Sequence, residues 1–272
     1  MKRVIGYIAS HFRRDKIWLR RTRPDKRRYQ VVLAIDDSRS MAENGCGAFA
    51  LEALTLLCKA MSRLEVGEIG ALSFGGAAGA RPLQPLGAPF GDAAGPALMS
   101  ALRFDQDNTI VDRPMVQLVE ALEHMLDAAR HRAVTSSGGG GGAGSDLRQL
   151  VLVLADGRFH EKGGLKAAVR RLLEKRGVCV AFIALDSVRG AGAGAGAGDG
   201  VAGGGGGAAM GAGAGSSLLE MQSVKFVNGA PVFERYLDSF PFPFYIVLRD
   251  IAALPRTLAD LMRQWFELTA SG

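Results

Sequence analysis

The chain has 272 residues, nearly half of them apolar, with 37 glycines, three cysteines and a formal net charge of +6. About 220–230 residues remain once the Gly/Ala tracts are set aside, enough for one well-buried α/β core. Cys46, Cys58 and Cys179 are far apart and form no Cys-x-x-Cys pair, which excludes a zinc signature and a disulfide framework and points to a reducing compartment.

The charge is uneven. Arg13, Arg14, Lys16, Arg20, Arg21, Arg23, Lys26, Arg27 and Arg28 crowd the first stretch, so residues 1–28 read as a basic extension preceding a domain at 29–272. Such a block suits an acidic partner, RNA or an import receptor, or simply a solvated surface strip. It is followed by no apolar stretch of secretory type. No uninterrupted apolar run reaches the roughly 18 residues of a membrane span, so no membrane partner is expected. Trp18, among these basic residues, reads as an anchor for the segment.

Tyr29 to Ile35 is a short apolar run ending abruptly in Asp36-Asp37-Ser38-Arg39-Ser40, which predicts a buried parallel strand entering a polar loop. Apolar residues at helical spacing predict a helix over 48–61. Residues 68–74, bounded by glycines, predict a strand. The segment 81–87 carries Pro82 and Pro85, so it suits an edge strand or a loop. A short helix is expected at 93–103. A longer one is expected over 110–130, with its regular part beginning near Pro114. Leu150 to Ala155 is the clearest strand and stops at Asp156-Gly157. A helix at 165–175, a strand at 178–185 ending at Asp186, a strand at 244–248 and a helix at 254–268 complete the pattern, with Trp265 and Phe266 expected in the core. Residues 135–146 and 190–216 are Gly-rich with nothing to pack, so they read as disordered insertions. Alternating strands and helices with continuously apolar strands predict an α/β fold: a doubly wound, mostly parallel sheet with helices on both faces.

In such sheets ligands bind at the carboxyl ends of the strands. Asp36, Ser38 and Ser40 fall on alternate residues of one such loop, and Asp156 ends a second apolar strand. A hard cation such as Mg²⁺ takes about six oxygens at roughly 2.1 Å, which two serine hydroxyls, two carboxylates and the Thr109 hydroxyl would partly supply. The same oxygens admit Mn²⁺ or Ca²⁺. A cation left short of ligands favours a carboxylate brought by another molecule, so the pattern describes a binding device. The bland alternative is a set of turn and helix-cap residues, which explains one such residue well and three poorly. For Thr109 a cap role and a metal role can coexist. His160, in a polar loop near the site, reads as solvated. Asp37 is expected to face solvent or a backbone amide.

The order Asp36-x-Ser38-x-Ser40, then Thr109, then Asp156-Gly157, is similar to the metal-ion-dependent adhesion site of von Willebrand A domains. The flanks are more specific. Tyr7 to Thr22, Ala34 to Met41, and the tail from Phe240-Pro241-Phe242-Pro243-Phe244-Tyr245 to Arg263-Gln264-Trp265-Phe266 resemble the midasin family, at the C-terminal metal-site domain of those giant ATPases. The resemblance implies a von Willebrand A-like, Rossmann-type fold and a Mg²⁺ site formed by Asp36, Ser38, Ser40, Thr109 and Asp156. It also implies a grip on ubiquitin-like domains of WD-repeat ribosome assembly factors, through an acidic side chain that completes the metal shell. Release of those factors from the pre-60S particle in the nucleus, driven by an AAA+ ring elsewhere in a larger protein, is the implied context. No Gly-x-x-x-x-Gly-Lys-Ser/Thr sequence is present, so this chain is not expected to be an enzyme. Two rivals remain: a Mg²⁺-dependent phosphoryl transferase built on Asp36-Asp37, and an RNA binder through the basic segment.

Overall fold

The computed structural model describes residues 28–64, 67–76, 78–107, 114–136, 147–159, 162–186, 217–227 and 230–271. Strand β1 (Arg28–Asp36) leads into a one-turn helix α1 (Arg39–Glu43) and then the long α2 (Cys46–Leu64). Strands β2 (Glu68–Gly76) and β3 (Gly79–Gln84) precede α3 (Ala94–Ala101) and α4 (Pro114–Ser136). Then come β4 (Leu147–Ala155), α5 (Gly163–Leu173) and β5 (Val178–Leu185). After residue 216 the hairpin β6 (Gln222–Val227) and β7 (Ala230–Arg235) is followed by β8 (Tyr245–Leu248) and α6 (Leu254–Ser271).

The main sheet has the order β3-β2-β1-β4-β5-β8. All its pairings are parallel except β2 with β3. Pro82 of β3 is tolerated because this is an edge strand with register shifts, and Pro85 falls just after it.

The apolar runs of β1, β4 and β5 are continuous because both faces of the sheet are covered. Val31, Leu33 and Ile35 of β1 join Leu150, Leu152 and Leu154 of β4 and Ile183 of β5 against α2, α3 and α6. The intervening Val32, Ala34, Val151, Val153, Val180 and Phe182 point the other way, against α4 and α5. A doubly wound α/β sheet is therefore the observed architecture, as the sequence pattern predicts.

Three differences from the sequence reading are physical. Helix α4 starts at Pro114 as expected, a residue suited to a first turn because its missing N–H has no partner there anyway, but it ends later than expected. It runs on through Ser136, so Thr135 is helical and donates to His131 O and Arg132 O. The hairpin β6–β7 was not foreseen. Phe266 is 37% exposed, with its ring against Tyr29 and Trp265, while Trp265 is buried as expected. Cys46 and Cys58 are buried and Cys179 half-buried, and none of the three is in a disulfide. Residues 1–27, Thr109, His160 and the tract at 190–216 lie outside the described residues. No helix among the described residues is long and apolar enough to cross a membrane.

Candidate metal centre

The parallel strands β1 and β4 are neighbours, so their carboxyl ends bring Asp36 and Asp156 to the same edge of the sheet. Asp36 is 7% exposed and Asp156 6%. Asp36 Oδ1 accepts the Ser38 amide at 2.9 Å, closing an Asx turn that bends the chain sharply after the strand. Ser38 then sits at the N-cap position of α1, yet its side chain makes no capping bond. Its hydroxyl lies 2.9 Å from that of Ser40 instead. The cap reading of this serine is therefore not supported by its geometry, while the turn reading of Asp36 is correct and compatible with a further role.

Asp156 is held in the same style. Its Oδ1 accepts the Arg158 amide and its Oδ2 accepts from Asn44 Nδ2, each at 3.1 Å. Beneath this turn, the Tyr236 hydroxyl donates to Gly157 O at 3.0 Å and accepts the Phe159 amide at 2.7 Å. That pins the Asp156 loop to the segment that follows β7.

Asp37 faces inward, 3% exposed, and its Oδ1 accepts the amides of Arg103 and Phe104 at 2.8 and 2.6 Å. Phe104 holds a left-handed φ of 54°, unfavourable for a bulky residue, and the Asp37 contact helps to impose it. A backbone bridge from Ser38 to Gln106, with the Arg39 amide donating to Gln106 O at 2.8 Å, brings the segment before Thr109 alongside the first loop.

Two participants escaped sequence reasoning. Gly75, at φ +104°, lies where an added Cβ would come within 2.7 Å of Asp36 Oδ1, so only glycine lets β2 approach the carboxylate. The signal was the Gly75-Gly76 pair at a strand end. Asn44 is the other.

Burial, and then repulsion from Asp156, push the Asp36 carboxyl up to about 7, against the opposing pull of the Ser38 hydroxyl and amide. Burial likewise raises Asp156. These are groups that only accept when ionised, nearly buried and gathered with the buried Ser38 and half-buried Ser40 hydroxyls. Among the described residues, no group of three or more His, Cys, Asp or Glu is placed to hold a metal ion. A cation here would thus have two carboxylates, hydroxyls and water: a hard-oxygen set that suits Mg²⁺, Mn²⁺ or Ca²⁺ over a thiophilic ion.

No family model matches the sequence. Over 271 residues, 100% of this chain, it is 34% identical to midasin of Dictyostelium discoideum. Over 272 residues, 98% of this chain, it is 35% identical to midasin of Giardia intestinalis. The chain spans 4% and 5% of those two proteins. The resemblance carried by the flanking segments thus holds along the whole chain. Solved structures similar to it include a von Willebrand factor type A protein from Catenulispora acidiphila, at 14% identity and TM-score 0.46, covering 89% of this chain and 42% of that one. BatB of Bacteroides thetaiotaomicron matches at 14% identity and TM-score 0.48, covering 90% of this chain and 100% of that one.

Proposed function

We propose that this chain is the metal-dependent binding domain of a midasin-type protein, and that it grips a partner through a cation held by Asp36, Ser38, Ser40 and Asp156. The observation that carries the proposal is the convergence of two buried carboxylates and two hydroxyls at the carboxyl ends of adjacent parallel strands. Thr109 is proposed as a further hydroxyl donor on the strength of the motif order.

Mg²⁺ is the proposed ion. A bound hard cation supplies a positive centre that these oxygens only partly quench and that an incoming carboxylate completes. The protein's own contribution is to hold the donors in place. The Asx turn fixes Asp36, and the Arg158 and Asn44 N–H groups fix Asp156. The burial of both carboxylates keeps competing water away.

The partner class follows from the resemblance: ubiquitin-like domains of WD-repeat ribosome assembly factors, gripped through an acidic side chain. Action on the pre-60S particle in the nucleus, coupled to an ATPase ring elsewhere in the same protein, is part of this reading. A phosphoryl-transfer reading has less support. Asp36 Oδ1 is engaged by the Ser38 amide, and Lys162, six residues beyond Asp156, is directed to Tyr236 O and Ser239 Oγ at 3.1 and 2.7 Å.

The test is calorimetric titration with a ubiquitin-like domain of such a factor, in Mg²⁺ and then in EDTA. Binding abolished by EDTA and by Asp36→Ala supports the proposal. Binding indifferent to both overturns it, and steep salt dependence without Mg²⁺ dependence would favour RNA-type contacts through residues 1–28.

A further inference from the structure

We propose that Asn44 is a positioning residue of this site: its side-chain amide sets the orientation of the Asp156 carboxylate and thereby the affinity for the cation. The inference rests on the metal reading above and extends it to a residue outside the Asp-x-Ser-x-Ser motif. Asn44 ends α1, and its backbone amide donates to Ser40 O at 2.9 Å. One helical turn therefore separates it from Ser40 and places both side chains on one face, toward β4. From there its Nδ2 reaches Asp156 Oδ2 at 3.1 Å, a bond between residues 112 positions apart that ties the first loop of the site directly to the last.

The chemistry explains the choice of an amide. Asp156 is repelled by Asp36, and rotation of its carboxyl away from that neighbour would relieve the repulsion. The Asn44 and Arg158 N–H groups each occupy one oxygen and oppose that rotation. Beside these bonds and that of the Ser40 hydroxyl, the carboxylate retains a lone pair for a cation or its water. The donor from Asn44 is neutral, so it orients the carboxylate without cancelling the charge that attracts the cation. A lysine at this position would do the first and defeat the second.

The experiment is Mn²⁺ titration of the full chain by calorimetry, with nitrogen-15 NMR of the Asn44 side-chain amide. Asn44→Leu, similar in size but without a donor, is expected to weaken Mn²⁺ binding about 10–100-fold, the usual cost of losing a partner of a metal ligand. Asn44→Gln, which keeps the donor, is expected to recover most of that loss, which a merely structural role would not require. In the wild-type chain the Asn44 amide protons are expected to exchange slowly, and Asp156→Ala is expected to release them. This readout survives even if the leucine variant does not fold. Mn²⁺ affinity in Asn44→Leu within about threefold of wild type overturns the proposal, as does an Asn44 amide unmoved by Asp156→Ala. A wild-type chain that binds no Mn²⁺ overturns the metal reading as well.

Discussion

Strands β1 and β4 carry a buried polar pair at each end, and the two pairs are built on opposite principles. At the amino end Gln30 and Gln149 face each other in register, and Gln149 Nε2 donates to Gln30 Oε1 at 2.8 Å. Gln30 passes a donor on to Glu68 at 2.9 Å. Gln149 also donates to Leu126 O at 3.0 Å and accepts from Arg130 at 2.9 Å. Each amide carries both donors and acceptors, so the cluster closes on itself. At the carboxyl end Asp36 and Asp156 bring only acceptors once ionised, and the few N–H and O–H groups that reach them do not offset their burial and mutual repulsion. One end is complete without help, while the other has a surplus of negative oxygen that a cation from outside would balance. On the proposed reading, stability resides in the first and binding in the second.

The sharpest way to break this comparison is to neutralise one member of each pair. Asp36→Asn keeps shape and is expected to abolish metal binding, at least 100-fold on the scale of losing a direct ligand, while leaving the metal-free melting temperature unchanged or higher. Gln149→Leu is expected to do the reverse. It should cost about 2–4 kcal/mol in urea unfolding, because Gln30 and Arg130 lose buried partners, with Mn²⁺ affinity little changed. Equal destabilisation by both variants would erase the distinction.

A pH series sharpens it next. The Asp36 carboxyl is raised from 3.8 to about 7 in the folded chain, so the folded state holds a proton that the unfolded state releases. Its contribution to stability is present below the unfolded value and is lost as pH rises through about 7. In EDTA the chain is therefore expected to unfold at lower urea at pH 8 than at pH 5, and Mg²⁺ at pH 8 is expected to restore the difference. Asp36→Asn should flatten the profile. A smaller effect is expected for Gly75→Ala. The new methyl meets Asp36 Oδ1 and the backbone resists a left-handed φ, so a loss of about 1–2 kcal/mol and weaker Mn²⁺ binding are expected from denaturation and titration.

Legibility in the sequence followed burial. β1, β4 and β5 were readable because strands covered on both faces leave uninterrupted apolar runs, and Asp36 and Asp156 were readable because a carboxylate ends such a run abruptly. The hairpin β6–β7 was not read, because a two-stranded ribbon outside the main sheet leaves only short alternation, with Val224, Val232 and Phe233 partly exposed. Asn228-Gly229 between two such runs was the available signal. Gly75 and Asn44 act through proximity across the fold, from β2 and from the end of α1, and no spacing within one segment encodes that. Asp37 sits between the two cases: its residue type suits either solvent or a backbone amide, and the structure gives it two amides, from Arg103 and Phe104.

The most direct measurement is calorimetric titration of the chain with Mn²⁺ at pH 7.5, beside its Asp36→Asn variant. The account predicts one site in the wild-type chain and none in the variant, with both proteins folded. Equal binding by the two, or no binding by either, would contradict it.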